Sequence, residues 1–584
     1  MSNSRLAGLN RRNFNRLIAG TGAAATLAPR FGGVAHASPS ASPFGQEITR
    51  ADKFGLNEAF KAMRFGARSG AGWTRWTVQW NNVQPNAPKS LFDAGLNDHY
   101  FRDNRGQSIL DAQIAAGLKV AFMVLGTPEW AAQTPGLKIG TSVPRGLYTP
   151  TLVGDAPNPE NPWAVFMYNL AKVYGNQCEW FEIWNEVEIP TSGSNAVYNT
   201  WAGTPADYYQ LVKVASEAAR SGHPNAKIVT SPYSYFKDVE EGKGQTLPFW
   251  DAFSAAVRAG GAQVFDAVAL NLYRNPHDLW DRAWGGVPEL DQRVDRVGFR
   301  KRLADMGAAG KQLWLTEINA MPYDDAVPGW NVNAQNDGFR IRMDEQASYV
   351  WQAHALASAA GWDKIFFQAL QDDPYPVPDE LWGLVRYNGD STNDDASRAR
   401  PAYAAYQGAA QLLGNAERTE LLVRVRPDLQ LGKWRQYASR WKWGVHAVMA
   451  QTGDTRAYVI WNGTPRALNV NITSRLGSEA KVYNKVGVQQ SVGDPYNVSI
   501  PGATRHFELF GGDPVNYFYV GGDPMIVVEH GVPADAPVSI QNFITKSQRE
   551  DSLSDPDAGP AGDLDDRTWA QPRREDANVI GVLS

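Results

Sequence analysis

The chain has 584 residues, 43% apolar and 11% aromatic with 21 Trp, and a formal net charge of -5. Such a length asks for two to four domains, and such a composition fills their cores. The charge excludes the basic footprint of a nucleic-acid binder, and the single cysteine, Cys178, excludes an intrachain disulfide.

Residues 1–37 read as an export signal. Arg5, Arg11, Arg12 and Arg16 make a basic start, Leu17–Ala28 is a short apolar run, and Ala35-His36-Ala37 is a small-x-small cleavage site. The run is too short for a stop-transfer helix, so no integral membrane span is expected. Arg11-Arg12 followed by Asn13-Phe14 resembles a twin-arginine signal. That resemblance implies the export machinery as a partner and a secreted, periplasmic or cell-surface destination. Gly20-Thr21-Gly22-Ala23-Ala24-Ala25 fits G-x-G-x-x-A, but it lies inside the signal with no strand before it. It is therefore no dinucleotide fingerprint, and no cofactor is expected.

Residues 38–50, rich in Ser, Pro and Ala, read as a linker. From 51 to 415 short apolar strands alternate with helical stretches. Strand-like runs are Phe54–Leu56, Thr74–Val78, Lys119–Leu125, Trp180–Trp184, Ile228–Ser231, Ala267–Leu272, Leu313–Thr316 and Lys364–Ala369. Runs apolar through most of their length suit strands buried on both faces. Cys178, just before one of them, reads as a core residue. Two helices carry clear punctuation. Thr204-Pro205 starts one that ends before Gly222, with Leu211, Val214, Ala215 and Ala218 on one face. Asn161-Pro162 starts another that stops at Gly175, with Phe166, Leu170 and Val173 on one stripe. Eight such units predict an α/β fold, a (β/α)8 TIM barrel. Residues 416–532 change texture. Leu468–Ile472, Tyr496–Ile500 and His506–Phe510 alternate apolar and polar between Gly-, Pro- and Asp-rich turns, predicting a C-terminal antiparallel β-sandwich. Residues 533–584 are acidic and rich in Asp, Pro, Ser and Gly, and read as a disordered tail.

In a TIM barrel the side chains at the C-terminal ends of strands share one face. Strand 180–184 runs into Asn185-Glu186, and strand 313–316 runs into Glu317. Two carboxyls ending strands four and seven form a catalytic pair, although either alone suits an ion pair with an arginine. Glu182 lies one pleat deeper and reads as a buried structural partner. Asp372 and Asp373 suit sugar hydroxyls or plain solvent equally. Trp80, Trp130, Trp330 and Trp382 fall at strand ends or in the following loops, where at least one is expected to stack on a sugar ring.

These pieces together resemble clan A of the glycoside hydrolases, which includes cellulase-like family five and xylosidase-like family thirty-nine. Trp184-Asn185-Glu186 is similar to the strand-four motif, which implies Glu186 as general acid/base. Thr316-Glu317 is similar to the strand-seven motif, which implies Glu317 as nucleophile. Arg75 with Trp80 resembles the strand-two pattern, and Ala269–Tyr273 the strand-six end, placing Tyr273 near the nucleophile. Gly126-Thr127-Pro128-Glu129-Trp130 and Arg400-Pro401-Ala402-Tyr403 resemble the segments after strands three and eight. The likeness spans roughly residues 50 to 530. Two departures leave the sugar open: Val187-Glu188 stands where Pro often follows Asn-Glu, and Asn271 stands where strand six often offers His.

The resemblance implies retaining hydrolysis of an oligo- or polysaccharide. One carboxyl arrives protonated for the leaving oxygen, and the other, about 5 Å from the first, attacks the anomeric carbon. Asn185, Arg75, Tyr273, Trp80, Trp130, Asn271 and Trp382 are the expected substrate-binding residues, with Asn185 on the sugar 2-hydroxyl. No metal is expected: the eight His form no H-E-x-x-H arrangement. No G-x-S-x-G turn follows a strand. The alternatives are a non-catalytic carbohydrate-binding protein on the same fold and a transglycosylase.

Overall fold

The computed structural model describes residues 49–88, 95–103, 106–138, 140–189, 200–234, 246–273, 276, 279–280, 283, 298–322, 324–325, 340–373, 381–387, 393–423, 445–462, 467–502, 520, 522–538 and 540–543. The predicted export signal, Trp330, His506–Phe510 and residues 544–584 of the predicted tail lie outside the described residues.

Eight strands follow one another in parallel: β1 (Ala51–Asn57), β2 (Ala71–Gln79), β3 (Lys119–Leu125), β4 (Trp180–Ile183), β5 (Lys227–Thr230), β6 (Ala267–Asn271), β7 (Gln312–Ile318) and β8 (Lys364–Phe367). β8 pairs back onto β1 through Phe54↔Ile365, closing the barrel. The expected TIM barrel is therefore present, with all eight expected strands in place. The strands carry two layers. The inward side chains of the lower layer are aromatic: Trp73, Trp180, Trp314 and Phe366 meet with ring centroids 4.7–6.3 Å apart. Two residues further along β2, β4 and β6, the pleat turns Arg75, Glu182 and Asn271 to the same interior face. The aromatic plug thus forms the floor on which the polar layer stands.

Helices cover the outside. Asn161 caps α1 (Pro162–Tyr174) by accepting from the Ala164 amide, and Thr204 starts α2 (Pro205–Gly222) with a reciprocal capping box to Asp207. Two details differ from expectation. Val173 is 47% exposed, because the buried stripe of α1 runs from Phe166 and Leu170 to Tyr174, the i+4 position. Gly222 is the last helical residue rather than the first beyond the helix. Further on lie α3 (Thr246–Gly260), α4 (Met343–Ala359) and α5 (Pro401–Leu413). Cys178 is buried, and burial pushes its thiol up to about 12, as a core residue requires. Among the described residues no helix is long and apolar enough to cross a membrane.

The C-terminal part is antiparallel, as expected of a sandwich. One sheet holds β9 (Arg418–Val423), β10 (Val445–Thr452), β11 (Thr455–Asn462), β13 (Glu479–Tyr483) and β15 (Met525–His530). The other holds β12 (Leu468–Ile472), β14 (Asn497–Ile500) and β16 (Ile540–Phe543). β16 pairs with β12, so residues 540–543 belong to the sandwich and not to the tail predicted to start at 533. Their backbone groups complete a sheet edge that composition alone does not reveal. The sandwich docks on α4. Trp351 Nε1 donates to the Lys485 carbonyl at 2.7 Å, and Lys485 Nζ, itself buried, reaches Asp344 and Asp523 at 2.7 Å each.

Candidate active site

Glu317 stands at the end of β7, where the register against β6 shifts between Leu315 and Glu317. Strict alternation from the inward Trp314 places Thr316, not Glu317, inside the barrel. The local irregularity is what brings the carboxyl to the mouth. Among the described residues it receives two donors, Arg75 Nη1 on Oε1 at 2.8 Å and Tyr273 Oη on Oε2 at 2.5 Å. Both suit a negatively charged oxygen. Burial and the neighbouring Glu317 hold the Tyr273 phenol well above its ordinary range, so it stays a donor.

Arg75 is 4% exposed and engages Glu182 bidentately, Nε to Oε2 at 2.8 Å and Nη2 to Oε1 at 2.7 Å. Burial works against the guanidinium charge, but Glu182 and Glu317 outweigh it and hold Arg75 cationic. Burial raises Glu182, and Arg75 opposes that rise. Nη2 also lies 3.3 Å from Asn185 Oδ1, which links strands two and four at the mouth.

Glu186 sits in a different environment. Its backbone has φ 48°, following Trp184 at φ 75°, so the chain leaves β4 through left-handed conformations that non-glycine residues seldom adopt. Among the described residues one neutral donor meets the carboxyl, Asn271 Nδ2 on Oε1 at 2.8 Å. Thr316 Oγ1 donates to Asn271 Oδ1 at 2.9 Å and so orients that amide. Burial first, then the negative charge of Glu317, push Glu186 up to about 8, against the pull of Asn271. The two carboxyls therefore differ in kind: Glu317 is met by a cation and a phenol, Glu186 by an amide beside a negative neighbour.

The expected binding residues divide. Arg75, Tyr273, Asn185 and Asn271 meet around the carboxyl pair. The Trp382 ring, partly exposed, lies 4.8 Å from the Tyr273 ring, and its backbone carbonyl accepts from Asn319 Nδ2 at 2.5 Å. Trp80 does not reach the site. It is fully buried against Trp163 and Phe166, with Nε1 on Gln84, because the residue following β2 turns down into α1. Its expected binding role is therefore corrected to a core role. Trp130 is partly exposed, packs edge-on to Trp80 and donates to the Gln84 carbonyl at 3.0 Å. Asp372, left open between sugar and solvent, does neither: it is buried in a two-bond ion pair with Arg400 at 2.9 and 2.8 Å. Asp373 stays partly exposed, 3.6 Å from Lys61. Sequence reasoning missed Asn57, which donates to Gln368 Oε1 at 2.6 Å across the ends of β1 and β8. Polar residues closing two apolar strands were the available signal. Among the described residues no group of His, Cys, Asp and Glu converges as metal ligands do.

A (β/α)8 barrel joined to an antiparallel sandwich is the architecture that the clan A resemblance implied. No family model matches the chain, and no curated protein matches it by sequence. Solved structures do. A family 39 glycoside hydrolase from Bacteroides cellulosilyticus WH2 superposes with a TM-score of 0.51 at 16% identity, over 82% of this chain and 81% of that one. A family 30 subfamily 8 xylanase from Clostridium acetobutylicum gives 0.44 at 13%, over 82% and 96%. A glucosidase from Croceicoccus marinus gives 0.46 at 13%, over 83% and 96%. At 16% identity the first of these likenesses is one of fold alone.

Proposed function

We propose that the chain is an exported retaining glycoside hydrolase acting on an oligo- or polysaccharide. The observation that carries this reading is the unlike treatment of two carboxyls at one barrel mouth. A glycosidic bond breaks through a cation-like transition state and needs one proton-bearing and one anionic carboxyl. Glu186, pushed up to about 8, holds its proton at neutral pH and delivers it to the leaving oxygen. Glu317 attacks the anomeric carbon as the bond to that oxygen breaks, forming a glycosyl ester. Its charge is then gone, Glu186 loses its negative neighbour, and it takes a proton from the water that displaces Glu317. Arg75 and Tyr273 orient the nucleophile, Asn185 meets the 2-hydroxyl, and Trp382 offers a ring face beside the reacting sugar.

The deciding experiment is sugar release from a panel of glycans and aryl glycosides by wild type and Glu317→Ala, with the anomeric outcome followed by NMR. Release with retained configuration, lost by several orders of magnitude in the variant, supports the reading. Inverted product refutes the mechanism. Binding without release points to a carbohydrate-binding protein, and transfer to an added sugar acceptor to a transglycosylase. Export rests on residues 1–37. Replacing Arg11 and Arg12 by Lys retains the protein in the cytoplasm if the twin-arginine reading is right, and unchanged export refutes it.

A further inference from the structure

Glu188 lies two residues beyond Glu186, and the mechanism above does not use it. It is 2% exposed. Its Oε1 accepts from the Ser234 amide at 2.5 Å and from Ser234 Oγ at 2.7 Å, and the Trp250 side chain of α3 lies beside the carboxyl. Ser234 belongs to a two-residue strand, Tyr233–Ser234, that adds to the barrel sheet in parallel with β6 and places Ser234 level with Asn271. Asn271 is the residue that donates to Glu186. The clamp on Glu188 and the donor to Glu186 thus sit side by side. The segment between the two glutamates is a turn, closed by Ile189 N to the Glu186 carbonyl at 3.3 Å and held by Val187 N to Ser231 Oγ at 3.4 Å. Tyr233 stacks on Trp250 at 4.0 Å, which fixes the far side of the clamp.

We propose that Glu188 is a positioning residue for Glu186: clamped by Ser234 beneath the turn that presents the acid/base carboxyl, it fixes that turn and sets, through its charge, the pH range in which Glu186 keeps its proton. The inference rests on the reading of Glu186 as acid/base. The groups that act on Glu186 are Glu317 from β7, Arg75 from β2, Asn271 from β6 and Glu188 itself. Tyr273, after β6, feels Glu186 in turn. Those acting on Glu188 are Ser234, its own backbone amide and Trp250, and Tyr208 of α2 feels its charge. Of the acids, Glu188 alone sits on the same turn. Burial pushes Glu188 up to about 7, so its charge appears within the range in which Glu186 works. An ionised Glu188 then disfavours ionisation of Glu186.

The test is a carbon-13 carboxyl NMR titration of the full chain labelled at glutamate Cδ, with the two resonances assigned by Glu186→Gln and Glu188→Gln. In Glu188→Gln, which keeps an oxygen for Ser234, the Glu186 resonance is expected to titrate about one pH unit lower, a tenfold change in proton affinity. The alkaline limb of kcat/KM moves down with it. Ser234→Ala is the second variant, keeping the carboxyl but removing one donor: Glu188 then titrates higher and Glu186 lower. A Glu186 titration unmoved in both variants overturns the proposal. So does activity lost equally at every pH with the limb in place, the signature of a purely structural role. The titration needs no substrate, so a failure of the hydrolase reading and a failure of this inference are distinguishable.

Discussion

Replacing Arg75 by Met tests whether the polar layer is held together by charge. The change removes the only bidentate partner of Glu182 among the described residues, in a place where Glu182 has 0% exposure. It also removes the 2.8 Å bond to Glu317. Breaking a buried pair and stranding one charge costs about 3–5 kcal/mol, well above the worth of the bonds themselves. A barrel of roughly 365 residues unfolds with about 2.1 cal/mol/K per residue. The expected loss is therefore about 4–6 °C in Tm at neutral pH, read by scanning calorimetry. Glu182→Gln alone is milder, because Arg75 keeps Glu317 as a counter-charge. The double variant Arg75→Met/Glu182→Gln removes the stranded charge and is expected to recover at least about 1.5 kcal/mol relative to the sum of the singles. Strict additivity, or a Tm for Arg75→Met within a degree of wild type, refutes the reasoning.

Other outcomes follow from the same layer. Glu186 has a raised folded-state pKa of about 8, so stability is full below the unfolded value near 4.5 and is lost as pH rises through 8. Glu186→Gln is thus expected to raise Tm at pH 8–9 and leave it unchanged near pH 4, while wild-type kcat/KM falls above about pH 8. His354, buried against Phe54, Phe367 and Tyr406, is pushed down to about 4 by burial. Its folded pKa is depressed, so stability present above about 6.5 is lost as pH falls through 4, and His354→Leu is expected to flatten that loss in an acid-unfolding series. Trp80→Ala leaves a cavity costing about 3–5 kcal/mol without changing KM once folded. Trp382→Ala is expected to raise KM severalfold with little loss of stability, and the reverse pattern for either refutes its placement.

The barrel was legible because its strands are apolar through most of their length and two of the intervening helices carry clear caps at Asn161 and Thr204. Local pattern and tertiary placement agree there, from Thr204-Pro205 to Lys364–Phe367. Glu186 and Glu317 were legible as acids directly following apolar strands. Trp80 shows where that logic stops: a tryptophan after a strand has the same sequence signature whether it faces a cleft or Phe166. The end of the sandwich at residues 540–543 was hidden for a related reason, since an edge strand takes its order from hydrogen bonds to β12 rather than from its own composition.

Residue by residue, then, the amino-acid order determined the periodicities, the caps and the acids at the strand ends, because these depend on neighbours a few positions away. What the tertiary structure alone decided is the difference between two chemically identical glutamates. Arg75, Tyr273 and Asn271 come from 242, 44 and 85 residues away. Burial and the field of those distant groups distinguish a carboxyl pushed up to about 8 from one met by a cation and a phenol, and neither environment is a property of the local chain.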